Sequence, residues 1–528
     1  IIQNKNFKPD YENIERIKTE LEAARLATQA RYCETKMFKT GNIHNLLEEI
    51  KMLKRKQKTL AVEILKGKRR TSLKSLLRDQ VKRQRLIVHT KALVTKKQNL
   101  QNRLLEDEDF TPLLEAFPCW CVTTYAVSNS LPLKPGLFDV AIIDEASQCD
   151  IASCIPVLFR CKKAVIVGDD KQLPHLSFLE KSKEQSFLSQ YEIPDKYQLM
   201  WRFRTNSMFD LANYYSTKPV LLDEHFRSYA PIIDFSNQEF YGGRIRIMSQ
   251  CSDDDVLELI RVPDGKVDSE MTRNMPEVEA IMQRLQEIIQ EDDRKNSDVP
   301  VSIGIISPFR GQVELIKKAL NQLYSESQLR KHRIEVGTAH TFQGDERDII
   351  MISWAVANNS FNQSLTFLQI PNLFNVAVTR AKKKQIVFLS KDPKTLPTGL
   401  LKDYIEYVQA YIDKSKLKSD MKLDENIYKN PFEKELAQFL RNEGFEVTAG
   451  KTVAGLSSDL YVKSPTGKAI IVECDGVADN VKMNKTQIQK QTLMERTGIL
   501  VERISYREWY MSKQGCIERI KSIFEEMI

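Results

Sequence analysis

Three hydrophobic patterns follow one another along the chain. Between residues 11 and 105, apolar residues recur at helical spacing among many Lys, Arg, Glu and Gln, with almost no Pro or Gly. The segments 46–65 and 73–94 carry this spacing most clearly, which predicts long amphipathic helices packed as an antiparallel hairpin or stalk. Basic runs on such helices most often form a solvated face.

From Phe117 onward, short apolar runs alternate with amphipathic helical stretches. The pattern predicts a strand within residues 119–132 and another at 164–170. A second alternating block extends from about 220 to 392. Strand–helix alternation is typical of parallel sheets, so we expect two α/β domains in succession.

A third pattern begins after a charged, mostly helical connector at residues 401–428. Residues 432–447 have the pattern of a helix followed by a strand. Two more apolar runs, a polar helix near 484–497 and a last apolar run follow. The resulting α-β-β-β-α-β order predicts a small, separate α/β domain.

Composition and charge narrow the class of protein. The 528 residues suffice for about three or four domains. Lys and Arg exceed Asp and Glu by 79 to 71, giving a net charge of +8, which fits a polyanionic partner. The nine Cys form no CxxC pairs, which favours reduced thiols over a disulfide framework or zinc site. No apolar stretch is long enough to span a bilayer and no signal peptide is visible, so we expect a cytoplasmic protein with no membrane partner.

Paired acids follow one predicted buried strand. In residues 138–150, FDVAIIDEASQCD, Asp144 and Glu145 come directly after an apolar run. Open α/β sheets bind ligands at the carboxyl ends of their strands. Paired carboxylates there can hold Mg²⁺ and orient an attacking water. A core strand followed by a solvated acidic turn would give the same pattern, so the pair alone does not decide between these interpretations.

Further motifs follow the acidic pair in a fixed order: VGDDKQLPH at 167–175, LLDEHFRS at 221–228, GTAHTFQGDERD at 337–348 and NVAVTRAKK at 375–383. Over roughly residues 110–400, this ordered set resembles the motor of superfamily 1 helicases. The resemblance is strongest to the branch typified by the nonsense-mediated mRNA decay helicase and its DNA-processing relatives. It implies tandem RecA-like domains, with the helical stalk as an insertion in the first.

The resemblance also implies roles for single residues in ATP hydrolysis. Asp144 would hold Mg²⁺ and Glu145 would position the water. Gln172 would hydrogen-bond the γ-phosphate or that water. Arg227 and Arg380 stand where the family places arginine fingers, whose guanidinium groups stabilise charge during phosphoryl transfer. For either arginine alone, a surface salt bridge would be the favoured interpretation.

Other motif residues are expected to contact the nucleotide or the nucleic acid. Phe226 stands where relatives often have Tyr, so we expect it to stack on the base, and Glu346 matches a position that meets the ribose. Contacts to the nucleic-acid backbone are implied in the predicted strand 119–132 and in the GTAHTFQGDERD motif, namely at Thr123, Thr124, Thr341 and Gln343.

The sequence contains no G-x-x-x-x-G-K-[ST], the loop that cradles β- and γ-phosphates. In the family this loop lies upstream of the helical insertion, so its place would precede Ile1. We therefore expect the chain to be the C-terminal part of a longer helicase. A missing N-terminal segment or a partner chain would supply the loop, and without it the chain should not hydrolyse ATP efficiently.

The third pattern resembles the PD-(D/E)xK nuclease fold, and most closely the small very-short-patch-repair-like endonuclease domain at the end of some bacterial helicases. Asp459 ends one predicted strand, while Glu473 and Asp475 lie two apart on the next and share a face. Together they predict an oxygen-rich site for Mg²⁺ or Mn²⁺ that could activate water. Glu433, on the opening helix, matches an acid that often completes the site.

The tail departs from the family pattern in two places. Asp475 replaces the usual Lys of the E-x-K element, as in the small E-C-D-G variant domains. The segment 484–496 is richer in Gln and poorer in Arg than expected, with Lys485 and Lys490 as possible substitutes for the missing basic groups. An inactive nuclease-like fold that only binds nucleic acid is the alternative.

We therefore predict an α/β protein with tandem RecA-like domains, a helical stalk insertion and a small C-terminal PD-(D/E)xK nuclease-like domain. The predicted function is an ATP-dependent helicase–nuclease that acts on single-stranded or partly duplex nucleic acid, with DNA favoured; the resemblance alone suggests bacterial defence or repair. An RNA helicase with an inactive binding tail, and a non-enzymatic regulatory subunit, are the rivals. The predicted boundaries are 1–110 for the stalk, 111–218 and 219–400 for the two RecA-like domains, 401–428 for the connector and 429–528 for the nuclease-like domain.

Overall fold

The computed structural model describes residues 11–40, 43–95, 110–249, 255–268, 272–295, 299–418, 428–475 and 481–527. The chain divides into two compact units, Ile1–Cys121 and Val122–Ile528. None of the described helices is both long enough and apolar enough to cross a bilayer.

The first unit is helical, as the apolar spacing predicts. Its helices are α1 (Tyr11–Thr40), α2 (Ile43–Arg78), α3 (Gln80–Thr95) and the short α4 (Thr111–Ala116). Asp79 separates α2 from α3, and its carboxylate accepts hydrogen bonds from the backbone N–H groups of Val81 and Lys82 at 3.0 and 3.1 Å. Arg69 donates to the carbonyl oxygen of Glu115 at 2.7 Å, which fastens α4 to α2.

The second unit opens with a parallel pair of strands, β1 (Phe138–Ile143) and β2 (Cys161–Ile166). Ile143, Cys154 and Met208 contribute to the small apolar core beneath it. The helices of this block are α5 (Val127–Ser130), α6 (Ile151–Phe159), α7 (Lys181–Gln190), α8 (Asp195–Gln198) and α9 (Met208–Tyr215).

The strand predicted within residues 119–132 is wrong. A 3₁₀ turn, Thr124–Ala126, leads directly into α5, and the Ala126 N–H donates to the Thr123 carbonyl at 3.0 Å. Among the described residues no strand lies alongside this segment. Its backbone groups therefore form the hydrogen bonds of a helical turn and not those of a β-ladder.

A five-stranded parallel sheet forms the centre of the next block, in the order β5-β9-β8-β6-β7. Alternate residues face opposite sides of it: Ile350 and Ile352 pack into one apolar cluster and Met351 into the other. Burial on both faces explains the continuous apolar runs in the sequence. The strands are β5 (Leu257–Arg261), β6 (Ile303–Ile306), β7 (Glu335–Gly337), β8 (Arg347–Ser353) and β9 (Ala381–Leu389).

A short parallel pair, β3 (Glu224–His225) and β4 (Arg246–Ile247), flanks helix α10 (Ala230–Tyr241). The remaining helices of this block are α11 (Met275–Lys295), α12 (Arg310–Leu323), α13 (Glu326–Lys331), α14 (Asn362–Phe367), α15 (Pro371–Val378) and α16 (Leu400–Lys418), with a 3₁₀ turn at Pro393–Thr395.

A fully buried carboxyl group ties α11 to the carboxyl ends of β8 and β9. Glu277 accepts hydrogen bonds from the Ser353 hydroxyl at 2.7 Å and the Ala355 N–H at 3.0 Å. Its other oxygen accepts from the Ser390 hydroxyl at 2.8 Å and the Ser390 N–H at 3.1 Å. Burial raises the pKa of Glu277 to about 7, because the ionised carboxylate loses its hydration.

The third block follows the predicted order, with additions. A four-stranded sheet runs β10-β13-β14-β15; its first two pairings are antiparallel and the last is parallel. A small hairpin and two C-terminal helices are added to the predicted α-β-β-β-α-β core. The elements are α17 (Pro431–Asn442), β10 (Glu446–Ala449), β11 (Thr452–Val453), β12 (Leu456–Ser457), β13 (Leu460–Lys463), β14 (Ala469–Asp475), α18 (Val481–Arg496), β15 (Leu500–Ser505), α19 (Tyr506–Met511) and α20 (Lys513–Glu526).

Candidate nucleotide and nuclease sites

The acidic pair lies just past the carboxyl end of β1, and both side chains are exposed. The Asp144 carboxylate accepts the Glu145 N–H at 2.9 Å, and the Gln148 amide donates to the Glu145 carboxylate at 2.9 Å. Glu145 has φ 51°, in the left-handed region that a residue with a Cβ adopts only at an energetic cost. Such strain recurs where a loop must present a side chain in a fixed direction.

The loop carrying Gln172 is fastened to the block that follows it. The Gln172 amide donates to Asp169 at 3.1 Å, and the Tyr241 hydroxyl donates to the same carboxylate oxygen at 2.7 Å. Asn375, on α15, donates to the Lys171 carbonyl at 2.9 Å. Burial and the neighbouring Asp169 raise the pKa of Tyr241, so its hydroxyl keeps its proton.

A second asparagine of α15 strengthens this attachment. Asn372 donates to the Asp170 carbonyl at 3.0 Å and also to the Gln172 carbonyl. Asn375 stands in the NVAVTRAKK motif, so its position was visible in the sequence, but its partner across the chain was not.

Arg380 is a buried cation, with 2% of its surface exposed. Its guanidinium donates to the Val376 carbonyl at 3.1 Å and the Thr379 hydroxyl at 3.0 Å, both neutral acceptors. Burial and the like charge of Arg227 lower the pKa of Arg380 to about 10, while Glu145 acts in the opposite direction. Within the described part of the chain no carboxylate lies within 4.0 Å of this guanidinium, so its charge is not neutralised.

Arg227 and Glu346 form an ion pair, and Lys382 contacts the same carboxylate at 2.6 Å. Burial opposes ionisation of Glu346, but Lys382 and Arg227 lower its pKa overall. His225 accepts the Ser228 N–H at 2.9 Å through Nε2, and burial together with the charge of Arg227 lowers its pKa to about 4. His225 and Lys382 lie within the LLDEHFRS and NVAVTRAKK motifs, but their residue types and spacing predicted no role for them.

Phe226, beside Arg227, exposes 51% of its surface, so part of its ring is accessible. Arg380 thus lies close enough to Glu145, Arg227 and Glu346 for their charges to affect its pKa. Phe226 lies next to this group in the chain.

The predicted nucleic-acid contacts lie in two separate places. Thr123 is exposed and Thr124 opens the 3₁₀ turn before α5. Thr341 is exposed, whereas the Gln343 amide nitrogen is buried without a hydrogen-bond partner. Among the described residues, no hydrogen bond joins the first pair to the second.

In the third block, Asp459 and Glu473 lie together. The Asp459 N–H donates to Glu473 Oε1 at 3.3 Å, and one Asp459 carboxylate oxygen accepts the Cys474 N–H at 2.9 Å. Two lysines complete the group: Lys490 contacts Glu473 at 2.6 Å and Lys429 contacts Asp459 at 2.6 Å. Burial and the adjacent Asp459 carboxylate raise the pKa of Glu473.

The other two predicted metal ligands are engaged elsewhere. Arg503 holds Asp475 through two hydrogen bonds of 2.5 and 2.6 Å. Glu433 accepts the Lys429 N–H and the Asn430 amide, each at 2.9 Å. The part of the chain that the structure describes contains no group of three or more His, Cys, Asp or Glu placed to hold a metal.

Asp459 and Glu473 thus lie together, and metal binding by all four carboxylates stays a prediction. Strand register explains the pairing of Asp475: Arg503 on β15 stands opposite Glu473 on β14, from where its guanidinium reaches Asp475 two residues further along the strand. The Lys485 side chain lies outside the described residues.

Asp459 and Glu473 nevertheless fit a hard divalent cation. Mg²⁺ is usually bound by one or two carboxylates and retains several waters. Burial and, after it, the neighbouring Asp459 carboxylate raise the pKa of Glu473, and a bound cation would relieve both penalties on its ionised form.

Three family models match consecutive parts of the chain. Residues 4–178 match the AAA domain model AAA_11, and residues 204–392 match the AAA domain model AAA_12. Residues 432–523 match the model REase_MTES_1575. The chain combines helicase domains with a restriction-endonuclease-like domain.

Three curated helicases illustrate the similarity. An uncharacterized ATP-dependent helicase, MG140 of Mycoplasma genitalium, is 28% identical over 326 residues, covering 57% of this chain and 28% of that protein. Human probable helicase senataxin is 31% identical over 259 residues, covering 46% of this chain and 9% of senataxin. The chicken DNA replication ATP-dependent helicase/nuclease DNA2 is 27% identical over 265 residues, covering 47% of this chain and 23% of DNA2. The matches thus span between 9% and 28% of these relatives' lengths.

Proposed function

We propose that this helicase–nuclease chain uses ATP to move along single-stranded or partly duplex DNA, and that its C-terminal domain cuts the nucleic acid. The observation that carries the proposal is the buried guanidinium of Arg380. It lies near Arg227 and Glu145, with no carboxylate among the described residues in contact with it. Burying an uncompensated charge is expensive. An anionic phosphate group bound beside Arg380 would remove that penalty.

The surrounding side chains have matching roles in this proposal. Asp144 binds Mg²⁺, which neutralises phosphate charge, and Glu145 orients the water. Gln172 contacts the terminal phosphate. The hydrogen bonds from α15 to the Gln172 loop transmit the gain or loss of that phosphate to the following block. Arg227 acts as the second arginine.

Two residues beside the arginines would recognise the rest of the nucleotide. The exposed ring of Phe226 stacks on the base. The Glu346 carboxylate accepts hydrogen bonds from the ribose.

The parallel pair β1–β2 supports the idea that further structure completes the first motor domain. Its apolar residues are unusually open to solvent: Ile142 is 71% exposed, Val165 49% and Val140 47%. Parallel sheets are normally covered on both faces. We propose that a partner chain covers this sheet and supplies the phosphate-binding loop.

In the nuclease domain, Asp459 and Glu473 would hold one Mg²⁺ or Mn²⁺. A metal of this kind activates water and polarises the phosphate. Lys490 and Lys429 would then turn from the carboxylates toward the phosphate and stabilise its charge. Asp475, held by Arg503, and Glu433 would complete the site only if they change partners when a metal binds.

Nucleic-acid contacts are proposed for Thr123, Thr124, Thr341 and Gln343, directed at the backbone. Backbone contacts carry little information on base identity. DNA is favoured because DNA2 is named a DNA replication helicase/nuclease and combines the same two activities. We further propose that the protein works in the cytoplasm, in defence or repair.

A second candidate is an RNA helicase whose tail only binds nucleic acid. The two-pronged contact between Arg503 and Asp475 favours it, because an acid neutralised in this way is a poor metal ligand. Lys429 and Lys490 would then serve as phosphate contacts.

One experiment tests both candidates. The intact protein is incubated with end-labelled single strands of DNA or RNA of one sequence, with ATP and either Mg²⁺ or Mn²⁺. The helicase–nuclease proposal expects DNA-stimulated ATP hydrolysis and cleavage that Glu473→Ala abolishes. ATP hydrolysis stimulated by RNA, with no cleavage in either metal, would support the second candidate instead.

A further inference from the structure

Helix α18 reaches both candidate sites. Near its middle, Lys490 contacts Glu473 at 2.6 Å. The next residue, Gln491, accepts a hydrogen bond from Arg503 at 3.3 Å. Its last residue, Arg496, contacts the motor rather than the nuclease domain.

The contact made by Arg496 is specific in geometry. Its two terminal nitrogens bind the two carboxylate oxygens of Glu224, at 2.7 and 2.5 Å. Its guanidinium also lies 5.6 Å from the centre of the Phe226 ring. Planar, two-pronged contacts of this kind are stronger and more directional than a single surface ion pair.

Glu224 is a well-supported anchor for this contact. Only 16% of its side chain is exposed, and Arg246 approaches the same carboxylate at 3.5 Å. Glu224 and Arg246 are also paired across strands β3 and β4. Isolated surface salt bridges contribute little, but a network on an ordered strand is the recognised exception.

Because of the position of Glu224, its contact with Arg496 affects the segment that carries Phe226 and Arg227. Phe226 and Arg227 follow it two and three residues later in the chain, so fixing Glu224 and one side of the Phe226 ring restricts the backbone that carries Arg227. We infer that Arg496 is a positioning residue, which holds the Phe226–Arg227 loop in place and thereby couples the nuclease domain to the nucleotide site. The coupling, though not the positioning itself, rests on the function proposed above.

Helix α18 connects the two sites directly, because it carries both Lys490 and Arg496. Lys490 and Arg496 are six residues apart, about 9 Å along one helix axis at 1.5 Å per residue. With Arg496 beside its ring, Phe226 still exposes 51% of its surface, which leaves room for a nucleobase. A base that stacks there stabilises the loop that Arg496 also stabilises. Linkage then requires that nucleotide binding strengthens the Arg496 contact to the same extent that the contact strengthens nucleotide binding.

The test compares Arg496→Ala and Arg496→Lys with wild type in the intact protein. Arg441→Ala is the matched control, because Arg441 contacts the Tyr428 ring and the Val447 carbonyl inside the nuclease domain. Hydrogen exchange is followed at residues 221–229. We expect faster exchange there in Arg496→Ala, a smaller effect in Arg496→Lys, since lysine cannot form the planar two-pronged contact, and none in Arg441→Ala.

The second measurement is the affinity for a fluorescent ATP analogue, which should fall about tenfold in Arg496→Ala, since a lost charge-assisted contact is worth about that factor. Single and double changes to Gln at Glu224 and Arg496 should give less than additive effects on exchange. Metal-dependent cleavage without nucleotide should be unchanged, which shows that the domain remains folded.

Two outcomes would overturn the inference. Unchanged exchange at 221–229 in Arg496→Ala refutes positioning, whether or not the protein binds nucleotide. Faster exchange with unchanged affinity refutes the coupling. If the wild type binds no nucleotide, the proposed motor function and the coupling fail together, while the exchange measurement still decides on positioning.

Discussion

Asn375 donates a hydrogen bond to the carbonyl oxygen of Lys171, 2.9 Å away and 204 residues earlier in the chain. The same amide contacts the Tyr241 hydroxyl at 3.1 Å, and that hydroxyl is bonded to Asp169. Asn375 thus connects helix α15 to the loop of Gln172, beside the bonds that Asn372 makes to the same loop. This connection suits a motor in which one block must respond to a ligand held by the other.

Asn375→Ala is the first test of this connection. Loss of the Lys171 and Tyr241 bonds should let the Gln172 loop move away from α15, and we expect ATP hydrolysis to fall about tenfold or more, while nucleotide binding changes less. Steady-state ATP hydrolysis and analogue binding measure the two effects. Asn362→Ala, at the start of α14, is the control; equal losses in both variants would mean that the effect is not specific to this connection.

Arg380→Ala should reduce ATP hydrolysis by about 10³–10⁵, the usual contribution of an arginine finger. Arg380→Lys should recover little, because lysine cannot donate to the Val376 carbonyl and reach a phosphate with the same planar group. The single-turnover rate is the measurement, with binding to single strands as the control. A variant with the wild-type rate would make Arg380 a structural residue.

Glu145→Gln should stop ATP turnover and preserve ATP binding, since the amide keeps the size of the side chain but cannot act as a carboxylate toward water. The Gln148 amide, which donates to Glu145 at 2.9 Å, is a weaker partner for the new side chain, so a small loss of stability should accompany the change. Turnover near the wild-type rate would remove this residue from the catalytic group.

Release of Asp475 tests whether the nuclease domain can recruit a third carboxylate. Arg503→Gln removes the guanidinium that holds Asp475 at 2.5 and 2.6 Å. We expect Mn²⁺ to bind more tightly to this variant, by about a factor of ten, as measured by titration calorimetry. Adding Asp475→Asn to Arg503→Gln should reverse the gain in Mn²⁺ affinity. If the double variant kept the higher affinity, Asp475 would not be the new ligand.

Stability of the central sheet should depend on pH through Glu277, whose pKa burial raises from 4.5 to about 7. Between these values the folded protein holds a proton that the unfolded chain does not, so the favourable contribution is complete below pH 4.5 and is lost as the pH rises through 7. The loss is on the order of 3 kcal/mol by pH 8. Hydrogen exchange of β8 and β9 in urea, at pH 5.5 and pH 8, would measure it.

Glu277→Gln is the variant for comparison. Its overall stability should be lower, because an amide nitrogen must face one of the four donors that the carboxyl now accepts. Its pH dependence between 5.5 and 8 should be flatter than that of the wild type. Parallel curves for the two proteins would assign the pH effect to other groups.

The sequence predicts the parallel core of this fold well, because its signal is local. The apolar runs around Ile303, Ile350 and Val387 predict buried strands by composition alone, and β6, β8 and β9 lie there. The run at 119–132 has similar apolar residues but no neighbouring strand among the described residues, and a sequence pattern cannot reveal that difference.

In the candidate sites, too, the sequence predicts some features and not others. Motif order predicts roles for Asp144 and Arg380, because their residue types and spacing are themselves the signal. The partners of the carboxylates were not foreseeable: Arg503 reaches Asp475 only through the register of two strands, and Lys429 reaches Asp459 across 30 residues. Which cation neutralises which acid is a property of the packed sheet.

Glu145 has a left-handed backbone conformation, with φ 51°. At this position the requirement for heat resistance therefore conflicts with the requirement for a carboxylate. Glycine adopts that conformation without strain, and replacing a strained side chain commonly stabilises a protein by about 1 kcal/mol. A library of this protein screened only for survival at high temperature should therefore enrich Gly at position 145. The most heat-resistant clones would then be the ones that have lost the carboxylate beside Asp144.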